Sequence, residues 1–159
     1  MSRPVTARAE VPSWPSGRGL STAEARAIDD MARRYPSVGR RMPVSNKQAE
    51  LFLSIWNEPD ADVRLGLIVS ALDRDCIYDD VHRDGPCIGH SQFAMFITEF
   101  REEANNMVFS LDGDVESVRD FARIHFRVSR DGNPFGNGTY FVLQAEDGRL
   151  REIFGFMGR

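Results

Sequence analysis

The residues whose types and spacing bear on chemistry fall in one stretch near the middle of the chain, Asp73–Phe100. It reads as a strand, a tight Asp84-Gly85-Pro86 turn, a short return strand and an amphipathic helix opening after Gly89. Side chains alternate along a strand with period two, which puts Ile77, Asp79 and Val81 on one face. Asp79 is then a lone carboxylate on an otherwise apolar face, at the strand's end. An apolar surround raises a carboxylate's pKa toward neutrality, where the group can take or give a proton. The competing reading is an aspartate that ends a strand and hydrogen-bonds turn amides.

Other candidates are weaker. Cys76 and Cys87 read as free buried thiols: a hairpin turning near Asp84 sets Cys87 opposite about residue 81, too far from Cys76 for a disulfide. The three histidines and two cysteines show no metal-ligand spacing, and there is no Gly-rich phosphate loop, so no metal and no cofactor is expected.

The elements that must position Asp79 are readable on both sides of it. Residues 1–45 form a basic arm, extended or disordered at first, with one helix near 21–35 that opens on Ser21-Thr22-Ala23-Glu24 and ends before Pro36. Ser45 with Gln48 caps the next helix, whose Ala49, Leu51, Phe52, Leu53, Ile55 and Trp56 leave almost no polar face. Asp60 caps a third, with Val63, Leu67, Ile68, Ala71 and Leu72 pointing one way. After the central stretch come Met107–Val118 and the cleanly alternating Phe121–Ser129, with Ala122, Ile124, Phe126 and Val128 on one face. A turn at Arg130–Pro134, a strand Thr139–Ala145, a hairpin turn at Glu146-Asp147-Gly148 and a last strand Leu150–Met157 complete the chain. Helices ahead of a run of long antiparallel strands give an α+β fold, the helices packed on one face of a curved sheet. Thr139–Ala145 is apolar on both faces, so the second face also needs cover, and a homodimer packed sheet to sheet would supply it.

Composition bounds the rest. The chain has 159 residues, 42% hydrophobic and 28% charged, as suits one globular domain beside its arm. No apolar run approaches the roughly 20 residues of a membrane span, and the N-terminus lacks the apolar core of a secretory signal, so a cytoplasmic protein is expected. Residues 1–45 carry a charge of +4 and the remainder −8. The arm has no Lys/Arg run and little aromatic interleaving, which argues against nucleic acid as a partner.

Over residues 46–158 this arrangement resembles the nuclear transport factor 2-like superfamily, specifically its SnoaL-like branch. The matching residues are Trp56-Asn57, Ile77-Tyr78-Asp79-Asp80, Gly89-His90, Ala122–Phe126, Asp131-Gly132, Gly138-Thr139, Asp147–Leu150 and Gly155-Phe156. The resemblance implies a cone-shaped, curved antiparallel sheet with three packed helices around a pocket. It implies Asp79 in a position similar to the general base of the ketosteroid isomerases. It also places Phe52 where that family has a tyrosine and Tyr140 where it has a second aspartate. Phe52, Trp56, Phe126 and Tyr140 become candidate lining residues, each equally explicable as core. His125 sits opposite Ile124 and Phe126 on its strand, away from the pocket.

Three functions stand open. The chain is an isomerase, cyclase or lyase on an apolar substrate with Asp79 as acid/base, or a non-catalytic pocket protein for an apolar small molecule. The third is an assembly module whose cone its eleven phenylalanines fill.

Overall fold

A computed structural model describes residues 42–158 and, ahead of them, Thr22 and Arg26, both helical. The remainder of the arm, with most of the helix expected near 21–35, lies outside the described residues. The chain divides into two units, residues 1–39 and 40–159, and the fold below is that of the second.

Three helices, α1 (Asn46–Asn57), α2 (Ala61–Ala71) and α3 (Gly89–Glu103), accompany seven strands. The strands are β1 (Leu72–Asp80), β2 (Cys87–Ile88), β3 (Met107–Leu111), β4 (Glu116–Val118), β5 (Phe121–Arg130), β6 (Asn133–Gln144) and β7 (Leu150–Met157). They form one sheet in the order β2-β1-β7-β6-β5-β3, with β4 also on β5. The α+β cone expected from the sequence is the architecture found. It differs in one respect: β1 runs parallel to β7, so the sheet is mixed rather than antiparallel throughout. The register shifts within β1/β7, β5/β6 and β6/β7. Such bulges bend and twist a sheet, and here they curve it around the helices.

Local signals set the helix starts. Ser45 and Gln48 form a complete capping box at α1, and the Asp60 carboxylate accepts from the Asp62 and Val63 amides, each at 2.9 Å. Asn57 then fixes where α1 ends. Its side-chain amide exchanges two 2.8 Å hydrogen bonds with the backbone of Phe109, a strand-like pairing that ties Trp56 to β3. In α2 and its C-cap the inward face is the expected one at Ile68, Ala71 and Leu72, which are buried, and at the half-buried Leu67; Val63 departs from it, exposed where Arg64 is buried instead. Arg64 faces inward because its guanidinium is satisfied there, donating to the Glu58 and Pro59 carbonyls and to Thr98 Oγ1.

Strand boundaries also moved. Gly113, with φ of 79°, breaks the segment Met107–Val118 into β3 and β4. The turn at Arg130–Pro134 is confined to Asp131-Gly132, and β6 starts at Asn133. Cys87 pairs with Tyr78 rather than with residue 81. It therefore lies nearer Cys76 than expected, and both cysteines are nonetheless free and buried.

Candidate functional site

Aromatic rings from every layer meet inside the cone. Trp56 of α1 stacks on Phe109 of β3 at 5.0 Å and meets Phe100 of α3 edge-on at 5.1 Å. Phe126 of β5 stacks on Tyr140 of β6 at 4.6 Å. Tyr78 of β1 lies 5.7 Å from Trp56 and 5.6 Å from Phe96. These rings do not fill the space between them. They surround a cavity of about 250 Å³, whose lining also includes the exposed residues Val81, His82, Phe156 and Met157.

One carboxylate stands on that lining, and it is Asp80. Asp79, read from the sequence as the inward residue, is on the other face. It pairs with Phe154, which is exposed, whereas Asp80 pairs with Gly155, which is buried and lines the cavity. The alternation along β1 runs one residue out of step with the expectation. Cys76 and Tyr78 are fully buried, while Ile77 is half-buried and Val81 is 58% exposed. Both faces of β1 carry apolar side chains, so alternation alone does not choose between them. Packing does, because Tyr78 has the volume to reach Trp56, Phe93 and Phe96 across the cone and Ile77 does not. Asp79 caps its own strand end, Oδ1 accepting from the Asp80 amide at 3.0 Å.

Asp80 is held on both oxygens. Oδ2 accepts from the Tyr78 hydroxyl at 2.7 Å, and Oδ1 accepts from the His82 amide at 2.8 Å where the strand turns away. Burial raises the Tyr78 phenol well above its ordinary value, so it stays protonated and remains a donor. Burial likewise raises Tyr140. Gly155 leaves room for both Tyr140 and Asp80: a Cβ there would stand 2.9 Å from Tyr140 Cε1 and 3.1 Å from Asp80 Cβ.

Of the lining residues expected from the sequence, Trp56, Phe126 and Tyr140 reach the cavity. Phe52 does not. It is fully buried behind Tyr140, which it meets edge-on at 5.1 Å. His125 lies on the outer face, where Nδ1 meets Thr139 Oγ1 at 2.8 Å. Sequence reasoning missed Tyr78 and Asp80, although both stood in the motif that carried the resemblance. Among the described residues, no group of three His, Cys, Asp or Glu is placed to hold a metal ion. Among them, too, no helix is long and apolar enough to cross a membrane.

No family model and no curated protein matches the chain. Solved structures do. A proposed isomerase of the SnoaL-like family from Agrobacterium tumefaciens is 27% identical, with a TM-score of 0.66 over 71% of this chain and 96% of that one. A SnoaL-like protein of unknown function from Burkholderia thailandensis is 15% identical, with a TM-score of 0.56 over 74% of this chain and 100% of that one. An NTF2-like protein of unknown function from Exiguobacterium is 14% identical, with a TM-score of 0.58 over 70% of this chain and 98% of that one.

Proposed function

Given a SnoaL-like domain of the nuclear transport factor 2-like superfamily, we propose that its cone binds an apolar small molecule and exchanges a proton with it through Asp80. The observation that carries this reading is a single oriented carboxylate on the wall of an otherwise aromatic cavity. Each Asp80 oxygen accepts one hydrogen bond from the protein and keeps a further lone pair for a ligand. Tyr78, neutral and buried, holds the carboxylate against rotation. Proton removal from a carbon beside a carbonyl, followed by return to that carbon or another, is the chemistry such a group supports. Isomerisation, ring closure and elimination all begin this way. The likeness to a proposed isomerase agrees with it. Asp79, on the outer face, has no part in it.

The test needs no knowledge of the natural substrate. The protein is incubated with α-tetralone in D2O, and loss of the α-carbon proton signal is followed by NMR. The wild-type protein is expected to accelerate exchange. Asp80→Asn should lose roughly a hundredfold or more of that acceleration, while Asp79→Asn stays within about twofold. Exchange that survives Asp80→Asn rejects the acid/base role. Ketone binding without exchange in any form favours a non-catalytic pocket protein.

We also propose that a second copy of the chain covers the outer face of the sheet. Phe121, Phe141 and Phe154 are exposed there, and Phe141 meets Phe156 edge-on at 5.8 Å. An apolar surface of this kind on a folded domain is characteristic of an interaction site.

A further inference from the structure

Strand register lines up the outer face of the sheet in rows, because residues directly opposite on neighbouring strands share a face. One row crosses five strands: Asp79 of β1, Phe154 of β7, Phe141 of β6, Arg123 of β5 and Glu116 of β4. It reads as an acid, two half-exposed phenylalanines, a base and a second acid. The row beside it, in the same strand order from β2, is Ile88, Ile77, Glu152, Leu143, Phe121 and Val118. Its two ends are apolar and open, with Ile88, Phe121 and Val118 all more than half exposed. The charges of the first row are not used up within the chain. Arg123 spends Nε and Nη2 on Glu116, two groups of a guanidinium that carries five N–H donors. Asp79 Oδ1 accepts from the Asp80 amide, and Oδ2 has no hydrogen-bond partner among the described residues.

We infer that a second copy sits on this face about a two-fold axis running along the strands between β6 and β7, so that Arg123 of each chain pairs with Asp79 of the other. This rests on the proposal above that a second copy covers the outer face, and adds how it is oriented there. A closed pair of identical chains is related by a two-fold axis, which for two sheets face to face lies in the plane between them. For aligned sheets the axis runs either across the strands or along them. An axis across the strands keeps the lateral order and sets Arg123 on Arg123 and Asp79 on Asp79. Like charges placed opposite one another select against that arrangement. An axis along the strands reverses the lateral order, placing β7 over β6, β1 over β5 and β2 over β4. Phe154 then meets Phe141, and Arg123 meets Asp79 twice in the dimer. In the next row Ile77 meets Phe121 and Ile88 meets Val118, with Glu152 over Leu143 the one mismatch. Packed sheets lie about 10 Å apart, a span that an arginine and an aspartate side chain close between them. The row is self-complementary in one orientation only, and Asp79 gains a role as its acidic end.

Sedimentation equilibrium of the full-length chain, alone and with charges reversed, tests the orientation. The wild-type protein is expected to dimerise. Asp79→Arg and Arg123→Asp each place two like-charged contacts in the dimer and should raise its Kd at least about tenfold. The double variant Asp79→Arg/Arg123→Asp exchanges the two charges and should return the Kd to within about threefold of wild type. With the axis across the strands, like meets like in all four proteins, and their Kd values stay together. Single variants that dimerise as the wild type does, or a double variant as weak as the singles, overturn the orientation. The wild-type protein supplies a test that needs no variant to fold. Raising NaCl from about 50 to about 500 mM should weaken a dimer held by opposite charges about threefold, and a dimer that tightens instead overturns the pairing. A dimer lost in Phe141→Ala but unmoved by either charge reversal keeps the covered face and rejects this orientation alone. A wild-type protein that stays monomeric at every concentration overturns the covered face together with this inference.

Discussion

Asp79 and Asp80 are adjacent in the chain, share a type and are both half-buried, yet they stand on opposite faces of the sheet. Asp80 sits on an aromatic wall with both oxygens held, beside a buried phenol that burial keeps protonated. Asp79 sits on the outside of the sheet beside exposed Phe154, its side chain turned back on the next amide. The same contrast runs through the whole sheet. The inner face of β6 carries Tyr140 and Val142, both buried, while the outer face carries Phe141, which is half exposed. The difference teaches that residue type in this fold says little about role until the face is known. A phenylalanine is core on one side and half exposed on the other.

Truncation on the two faces is the largest way to break the comparison. Phe52→Ala removes a fully buried ring behind Tyr140 and should cost about 3–5 kcal/mol of unfolding free energy in urea titrations. Phe141→Ala should stay within about 0.5 kcal/mol at dilute protein. Its effect should show instead as weaker self-association in sedimentation. Equal destabilisation by the two would mean that the outer face is not a free surface in the single chain.

Alkaline pH should single out the inner face next. Burial, reinforced by Asp73, raises the Cys76 thiol from 9.0 to about 11. The folded state then holds this proton more tightly than the unfolded chain does. Its contribution is complete below pH 9 and is lost as pH climbs toward 11, by at most about 3 kcal/mol. Tyr78, raised well above 10, extends the loss to higher pH. Melting temperatures recorded from pH 8 to 11 should fall, and Cys76→Ala should flatten the first part of that fall. An unchanged slope in the variant would assign the loss to other groups.

The smallest effects sharpen the comparison at two glycines. Gly155→Ala places a methyl against Tyr140 and Asp80 and should cost about 1–3 kcal/mol, with slower ketone exchange. Gly66 lies in α2 with nothing within 4 Å of a new Cβ. Gly66→Ala should therefore stabilise by about 0.5–1 kcal/mol and leave exchange alone. Thermal melts beside the exchange assay separate the two.

Much of the fold was legible because its signals are local. The Ser45/Gln48 capping box, the Asp60 cap, the alternation through Phe121–Ser129 and the turn at Glu146–Gly148 each act within a few residues, and each is found where it was read. Trp56, Phe126 and Tyr140 were legible as lining residues through the resemblance, the alternation of its strand also turning Phe126 the same way as Ile124 and Val128. Asp80 was not, because β1 carries apolar side chains on both faces and its phase is set by partners on other elements, Trp56 of α1 and Phe93 and Phe96 of α3. Arg64 shows the same limit: its inward turn depends on Thr98, on another helix.

The sequence by itself determined which segments are helix and most of those that are strand, where the helices of the cone start, and the fold that their order resembles. These follow from capping, periodicity and turn chemistry, which are properties of neighbouring residues. Only the tertiary structure decided that β1 runs parallel to β7, that Asp80 rather than Asp79 enters the cone, and that rings from α1, α3 and five strands stop short of filling it. Those outcomes depend on which distant surfaces meet and how much volume each brings, and no local pattern encodes that.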